Sequence, residues 1–238
     1  MPRLGRYFPP DQPLHLIQRG NNRAPIFFCD EDYLRYRRWL AEAAAEYGCA
    51  IHAYVLMTNH VHLLVTPRAA ESLPRAMQSL GRRYVRYVNA AYRRSGTLWE
   101  GRYRAAPIDS DAYFLACCRY IELNPVCARM TRHPRDYRWS SYAAHAAGAA
   151  DPLVAEHPLY RALGRSAAER QKEYRALFRA ALDEAFLDAM RAATNGGWAM
   201  GGERFKRKVA KAAGRRAAPL PKGRPAKETA DQRQINLL

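Results

Sequence analysis

Residues 50–67 limit the possible fold more than any other part of the chain. Ala50 to Met57 and His60 to Thr66 are two runs rich in Val, Leu, Ile and Tyr that flank Thr58-Asn59, and Pro67 closes the second run. Branched and aromatic residues on both sides of a two-residue turn predict a β-hairpin. Leu14 to Gln18 reads as a further short strand, ending at Arg19-Gly20-Asn21-Asn22, where Gly and Asn accept positive φ. Asp30 is placed to cap a helix whose Tyr33, Tyr36, Leu40, Ala44 and Tyr47 recur at helical spacing until Gly48 closes it. A second helix is predicted from about Ser72 to Arg94, with Leu73, Met77, Leu80, Tyr84, Tyr87 or Val88, and Ala91 on one stripe. Tyr103 to Ile108 predicts another strand. A third helix starts at Ser110 or Asp111 and ends near Asn124-Pro125, because the residue before a proline is pushed out of the helical region. Strand, helix, hairpin, helix, strand, helix is the order of an α+β fold, a ferredoxin-like antiparallel sheet with helices packed on one face.

Charge divides the chain into three. Residues 1–150 carry a net +9, residues 151–202 are neutral and residues 203–238 carry +8. We expect a core domain over 1–150, a helical extension over 151–213 and a flexible basic tail over 214–238. In the extension, Tyr174, Leu177, Phe178, Ala181, Leu182 and Phe186 give Glu169 to Phe186 helical periodicity. From Gly214 onward the tail has few large apolar residues to offset its ordering entropy. Its Pro221-Lys222-Gly223-Arg224-Pro225 resembles an AT-hook core, but a single copy reads first as a flexible basic linker.

The formal charge is +17, and 33 of the 39 cationic side chains are Arg, the better group for bidentate phosphate contact and for stacking on bases. Nucleic acid is the leading partner, against the alternative of a soluble protein that is merely basic. The most apolar stretch, Ala50 to Val65, is broken by His52, Asn59, His60 and His62, which argues against a membrane span. Pro9, Pro10 and Asp11 stand where a secretory signal would place its apolar stretch. Five cysteines without a C-x-x-C pair indicate neither a disulfide framework nor a zinc ribbon. The expectation is a cytoplasmic, nucleoid-associated protein.

His60-Val61-His62 lies on the second strand of the hairpin. Positions i and i+2 of a strand share a face, so the two imidazoles project side by side, either as metal ligands or as a structural pair. On the third helix Tyr120 and Asn124 are one turn apart, together with Tyr113 and Cys117. The amide oxygen of Asn124 can complete a His, His, Asn set for Mn²⁺ or Mg²⁺, with the Tyr120 phenol within reach as a nucleophile toward phosphodiesters. The same spacing also describes the buried stripe of an amphipathic helix.

These residues carry a resemblance. Thr58-Asn59-His60-Val61-His62-Leu63-Leu64-Val65 and, some sixty residues on, Tyr120-Ile121-Glu122-Leu123-Asn124-Pro125-Val126 resemble the single-tyrosine HUH transposases, and within them the REP-associated tyrosine transposases of bacteria. Arg19-Gly20-Asn21-Asn22-Arg23, Gly81-Arg82-Arg83-Tyr84, Leu98-Trp99-Glu100-Gly101-Arg102-Tyr103 and Trp139-Ser140-Ser141-Tyr142 stand in the same order as in that family, so the likeness spans about residues 10–145. It implies His60, His62 and Asn124 as ligands of a divalent metal, Mg²⁺ or Mn²⁺, and Tyr120 as the nucleophile. It further implies cleavage of single-stranded DNA near a hairpin, a 5′-phosphotyrosine, a free 3′-OH, and strand transfer by a monomer or a homodimer.

Arg19, Arg23, Arg82, Arg83, Arg86, Trp99, Arg102 and Arg104 are the candidate DNA contacts, cations interleaved with aromatics that can grip phosphates and stack unpaired bases. Two other readings stand beside the transposase. One is a catalytically silent DNA-binding protein or repressor on the same scaffold. The other is a His-based zinc hydrolase, which needs a further strong ligand, and Glu122 lies off the Tyr120 face.

Overall fold

The computed structural model describes residues 7–219. Strand β1 (Leu14–Arg19), α1 (Asp30–Tyr47), β2 (Cys49–Met57), β3 (His60–Pro67), α2 (Ser72–Ala91), β4 (Arg104–Pro107) and α3 (Ser110–Glu122) follow in the order the sequence predicts. The strands form one sheet in the order β2-β3-β1-β4, every neighbouring pair antiparallel. This is the ferredoxin-like α+β arrangement.

The register sorts each strand's residues onto two faces. His15 pairs with Leu64, Ile17 with both His62 and Arg104, and Arg19 with His60, so these side chains share what we call the front face. The alternate residues Leu14, Leu16, Leu56, Val61, Leu63 and Val65 point to the back, under Tyr36 and Leu40 of α1 and Leu80, Tyr84 and Val88 of α2. Helix α1 ends at Gly48, whose φ of 67° lets its N–H reach Ala44 O. Its start differs from the sequence expectation. Cys29 is the N-cap residue, and the Asp32 carboxylate reaches back to accept the Phe28 and Cys29 N–H groups, because the third helical position is better placed for those donors than Asp30.

Helices α1 and α2 occupy one face of the sheet, as expected. The front face is covered as well, by α3 and by α5 (Tyr142–Ala147), α6 (Pro158–Arg161), α7 (Ala167–Ala176) and α8 (Glu184–Gly196). The single helix expected from Glu169 to Phe186 is divided. Helix α7 passes through a 3-10 turn at Leu177–Arg179, Ala180 is extended, and Asp183 caps α8 by accepting the Ala185 N–H. At the end of α3 a short helix, α4 (Asn124–Cys127), continues after Leu123, with Pro125 in its first turn, where proline's missing N–H costs nothing.

Chain from beyond α3 closes both edges of the sheet. Residues 139–141 bond to β2 through Leu56 N to Trp139 O and Ser141 N to Tyr54 O, and Met200 bonds to β4 through Pro107 O. Open edges invite pairing with other chains, so this covering protects the sheet. After α9 (Glu203–Ala213) the chain turns at Gly214, and Ala217 is buried with its carbonyl accepting the Ala199 N–H. The AT-hook-like residues 221–225 lie outside the described residues. Among the described residues no helix is long and apolar enough to cross a membrane.

Candidate active site

His60 and His62 stand on the front face of β3 with ring centroids 5.1 Å apart. Each has its Nδ1 engaged. His60 Nδ1 lies 2.6 Å from Asn59 Oδ1, and the Asn59 amide is oriented by its Nδ2, which donates to Arg23 O at 2.9 Å. An amide oxygen only accepts, so His60 carries its proton on Nδ1 and leaves Nε2 as a lone pair. The turn that holds Asn59 is pinned in turn by Gly20 N, which donates to Asn59 O. A Cβ at Gly20 would stand 2.2 Å from Ala24 O, so the close approach requires glycine.

His62 is buried, and its Nδ1 is 2.9 Å from Nε2 of His15 on β1. The two rings are nearly parallel. The other nitrogen of His15, Nδ1, is 2.6 Å from Thr194 Oγ1 on α8. Tyr120 of α3 meets this pair edge-on, with centroid distances of 5.5 Å to His15 and 5.8 Å to His62. Asn124, one turn on, donates from Nδ2 to Tyr120 O at 2.7 Å, which leaves Oδ1 uncommitted to the helix.

Burial dominates the ionisation of these groups. It lowers the His60 pKa to about 4, with the Arg19 charge adding to the effect, and holds His62 well below its ordinary value. It lowers His15 to about 3. Burial raises the Tyr120 phenol, and the Arg191 guanidinium of α8 acts against it. Neutral imidazoles are the form that binds divalent ions, so the donor chemistry fits a metal at His60 and His62. Among the described residues no group of three or more His, Cys, Asp or Glu side chains is arranged to hold an ion. A cation there needs oxygen from an amide, a phosphate or water.

Glu122 points away from this cluster. Its carboxyl accepts from Ser141 Oγ at 2.6 Å, His145 Nδ1 at 2.8 Å and Tyr174 OH at 2.8 Å, all buried. It ties α3 to α5 and α7, which removes the ligand a zinc-hydrolase reading required.

The expected DNA contacts divide between the two sides of the sheet. Arg19 and Arg104 share the front face with the histidines, and Arg104 donates to Asn195 Oδ1 at 2.8 Å. Arg23 and Arg102 are exposed in turns beside that face or its edge strand. Arg82, Arg83 and Arg86 sit on α2, behind the sheet, where Arg83 pairs with Glu42 at 2.7 Å and lies over the Trp39 ring. Trp99 is a correction. The sequence reading gave it a stacking role, but it is 8% exposed and packs toward Tyr84 in the back core, because its backbone bridges to Gly20 and turns the side chain inward.

Sequence reasoning missed His15, Arg191 and Thr194. A histidine between Leu14 and Leu16 is a visible signal, since alternation puts it on the face opposite its neighbours. Thr194 and Arg191 have no local signal.

Residues 11–124 match the family model described as Transposase IS200 like. No curated protein matches the chain. Among solved structures, a REP-associated tyrosine transposase bound to a REP hairpin superposes with a TM-score of 0.53 at 17% identity, covering 66% of this chain and 93% of that one. A crystal structure provisionally named a transposase, from Deinococcus radiodurans R1, gives a TM-score of 0.35 at 24% identity, covering 51% and 96%. The first likeness establishes the shared fold, and the family match covers both histidines, Tyr120 and Asn124. Over residues 11–124, somewhat under half of its length, the chain is similar to the IS200-like transposases.

Proposed function

We propose that the protein nicks single-stranded DNA beside a hairpin and rejoins or transfers the ends, as a REP-associated-type tyrosine transposase with Tyr120 as its nucleophile. The observation that carries this reading is the Tyr120 ring set edge-on to the His15–His62 pair, next to two histidines that share one face of β3 and have their Nδ1 atoms engaged. In the step, Tyr120 Oη gives up its proton and forms a bond to phosphorus. The bond from phosphorus to the 3′ oxygen breaks, that oxygen takes up a proton as a 3′-OH, and the 5′ end stays on the tyrosine. Attack by a 3′-OH on the adduct reverses the sequence, so no water is consumed.

His60, His62 and Asn124 would hold Mg²⁺ or Mn²⁺, which when bound supplies polarisation of a phosphoryl oxygen. The chain's own groups deal with the tyrosine proton and the DNA. Burial keeps the phenol protonated, and Arg191 favours its loss. Arg19 and Arg104 on the same face, with Arg23 and Arg102 nearby, are the first phosphate contacts. Arg82, Arg83 and Arg86 would meet only DNA that wraps behind the sheet. The fold shared with a transposase that binds a REP hairpin supports hairpin DNA as the partner.

The test is a denaturing gel of the protein with labelled single-stranded hairpin DNA and Mg²⁺ or Mn²⁺. The expected result is a protease-sensitive covalent adduct, lost with EDTA and lost with Tyr120→Phe while hairpin binding is retained. Binding with no adduct under any divalent ion would overturn the reading in favour of a DNA-binding protein without the chemistry.

A further inference from the structure

Helix α8 lies outside the span matched by the family, yet it reaches the centre of the candidate site. Thr194 and His15 are 179 residues apart in sequence and are both buried where they meet. The hydrogen-bond chemistry at this contact has one consistent direction. A threonine hydroxyl owns one proton, and Thr194 Oγ1 donates it to Met190 O, one turn back, at 2.9 Å. Toward His15 the same oxygen can therefore only accept, so His15 carries a proton on Nδ1. Neutral His15 then presents a lone pair at Nε2, and His62 must donate from Nδ1. His62 is left with Nε2 unprotonated, the opposite of the Nε2–H form that histidine side chains favour in water.

We propose that Thr194 and His15 are positioning residues that fix the tautomer and ring orientation of His62, so that its Nε2 is held ready for a divalent cation beside Tyr120. His60 receives the same treatment from Asn59, next to it in sequence, whereas His62 receives it from a helix far along the chain. The extension is thereby part of the active centre. Its helix α8 acts through His15 on a ligand, and through Arg191 it stands beside the nucleophile. Partners of this kind set ligand basicity and geometry, and losing one commonly costs about 10–100-fold in metal affinity. The proposal rests on the metal-dependent reading given above.

The test uses the full chain labelled with ¹⁵N-histidine and free of metal, with long-range ¹H–¹⁵N correlation spectra to report which ring nitrogen of His15 and His62 bears the proton. The expected wild-type result is Nδ1–H for both. Thr194→Val keeps the shape but removes the acceptor for His15. It is expected to release His15 and shift His62 toward Nε2–H, with Mn²⁺ affinity in a titration falling about 10–100-fold. Thr194→Ser keeps a hydroxyl and is expected to retain both the tautomer and the affinity. An Nε2–H form of His62 in the wild type overturns the proposal, as does a Thr194→Val protein with unchanged tautomer and unchanged Mn²⁺ affinity. Should Thr194→Val fail to fold, the wild-type spectrum decides. Absence of a covalent adduct on hairpin DNA would defeat the nuclease reading without altering the spectra, so the two failures are distinguishable.

Discussion

The two faces of the sheet use the same strands for opposite purposes. On the back, Leu14, Leu16, Val61, Leu63 and Val65 meet Tyr36, Leu40, Tyr84 and Val88, and the layer is held by volume and by aromatic edges such as Tyr36 against Tyr84 at 4.9 Å. On the front, the alternate residues of the same strands bring His15 and His62 to α3 and α8, and Glu122, Ser141, His145 and Thr194 are buried among the helices above them. Each of those polar groups has a partner within the protein. A period of two therefore separates stability from chemistry at the level of single residues. The back loses most when volume is removed, and the front loses most when a hydrogen-bond partner or a protonation state is changed.

The largest effect expected from this contrast is on the back. Leu63 is fully buried there, between neighbours of α1 and α2. Leu63→Ala removes its transfer energy and leaves a cavity, at about 2–5 kcal/mol in urea unfolding, while the folded fraction retains nicking and Mn²⁺ binding. A loss below about 1 kcal/mol, or a folded variant without activity, would break the comparison.

The next effect belongs to the front, where His52 and His157 meet Phe114 of α3 and His145 bonds Glu122. His52 sits at the bulge in β2, between Ala155 O at 2.8 Å and Thr66 Oγ1 at 2.9 Å, and its ring meets Phe114 of α3. Burial lowers its pKa to about 4, a shift that the Ala155 bond opposes and the neighbouring His157 and His145 reinforce. Between pH 6.5 and about 4 the unfolded chain then binds the proton that the folded chain refuses. The stability due to the neutral form is complete above pH 6.5 and is lost as pH falls toward 4. The full amount is on the order of 3 kcal/mol. His52→Gln is expected to flatten the fall in urea-unfolding free energy between pH 7 and pH 4.5, and identical slopes for the two proteins would remove this distinction between the faces.

Much of this arrangement was legible in the sequence because it is encoded locally. The hairpin and the shared face of His60 and His62 follow from alternation, the order of elements follows from the periodicities along the chain, and Tyr120 with Asn124 follows from one helical turn. The rest depends on contacts distant in sequence. The Arg82, Arg83 and Arg86 cluster reads as a DNA surface, and only the packing of Leu80, Tyr84 and Val88 places its helix behind the sheet, on the side away from the histidines. Trp99 reads as a stacking residue until its bridge to Gly20 turns it inward. Glu122, two residues from Tyr120, gains its meaning from Ser141, His145 and Tyr174, none of which it can be paired with by spacing. Thr194 has an ordinary helical context and acquires a role only because α8 crosses β1 at His15.

The smallest effect sharpens the comparison most, since it separates chemistry from stability within one helix. Arg191 is about half exposed, and its NH1 pairs with Asp188 one turn away at 3.1 Å. An exposed pair of this kind contributes at most about 1 kcal/mol to folding, so Arg191→Ala should leave urea unfolding nearly unchanged. Its charge also lowers the Tyr120 pKa against the burial that raises it. Removing it moves the phenol further from its ionised form, so the rise of nicking rate with pH should shift to higher pH. At neutral pH the rate should fall by no more than about tenfold, which corresponds to about 1.4 kcal/mol in the barrier. Arg191→Lys, which keeps a charge on a shorter reach, is expected to fall between the two. A pH–rate profile that does not move in Arg191→Ala would mean that α8 serves the front face only through Thr194 and packing. A shift without loss of stability would make Arg191 the point where the extension acts on the nucleophile itself.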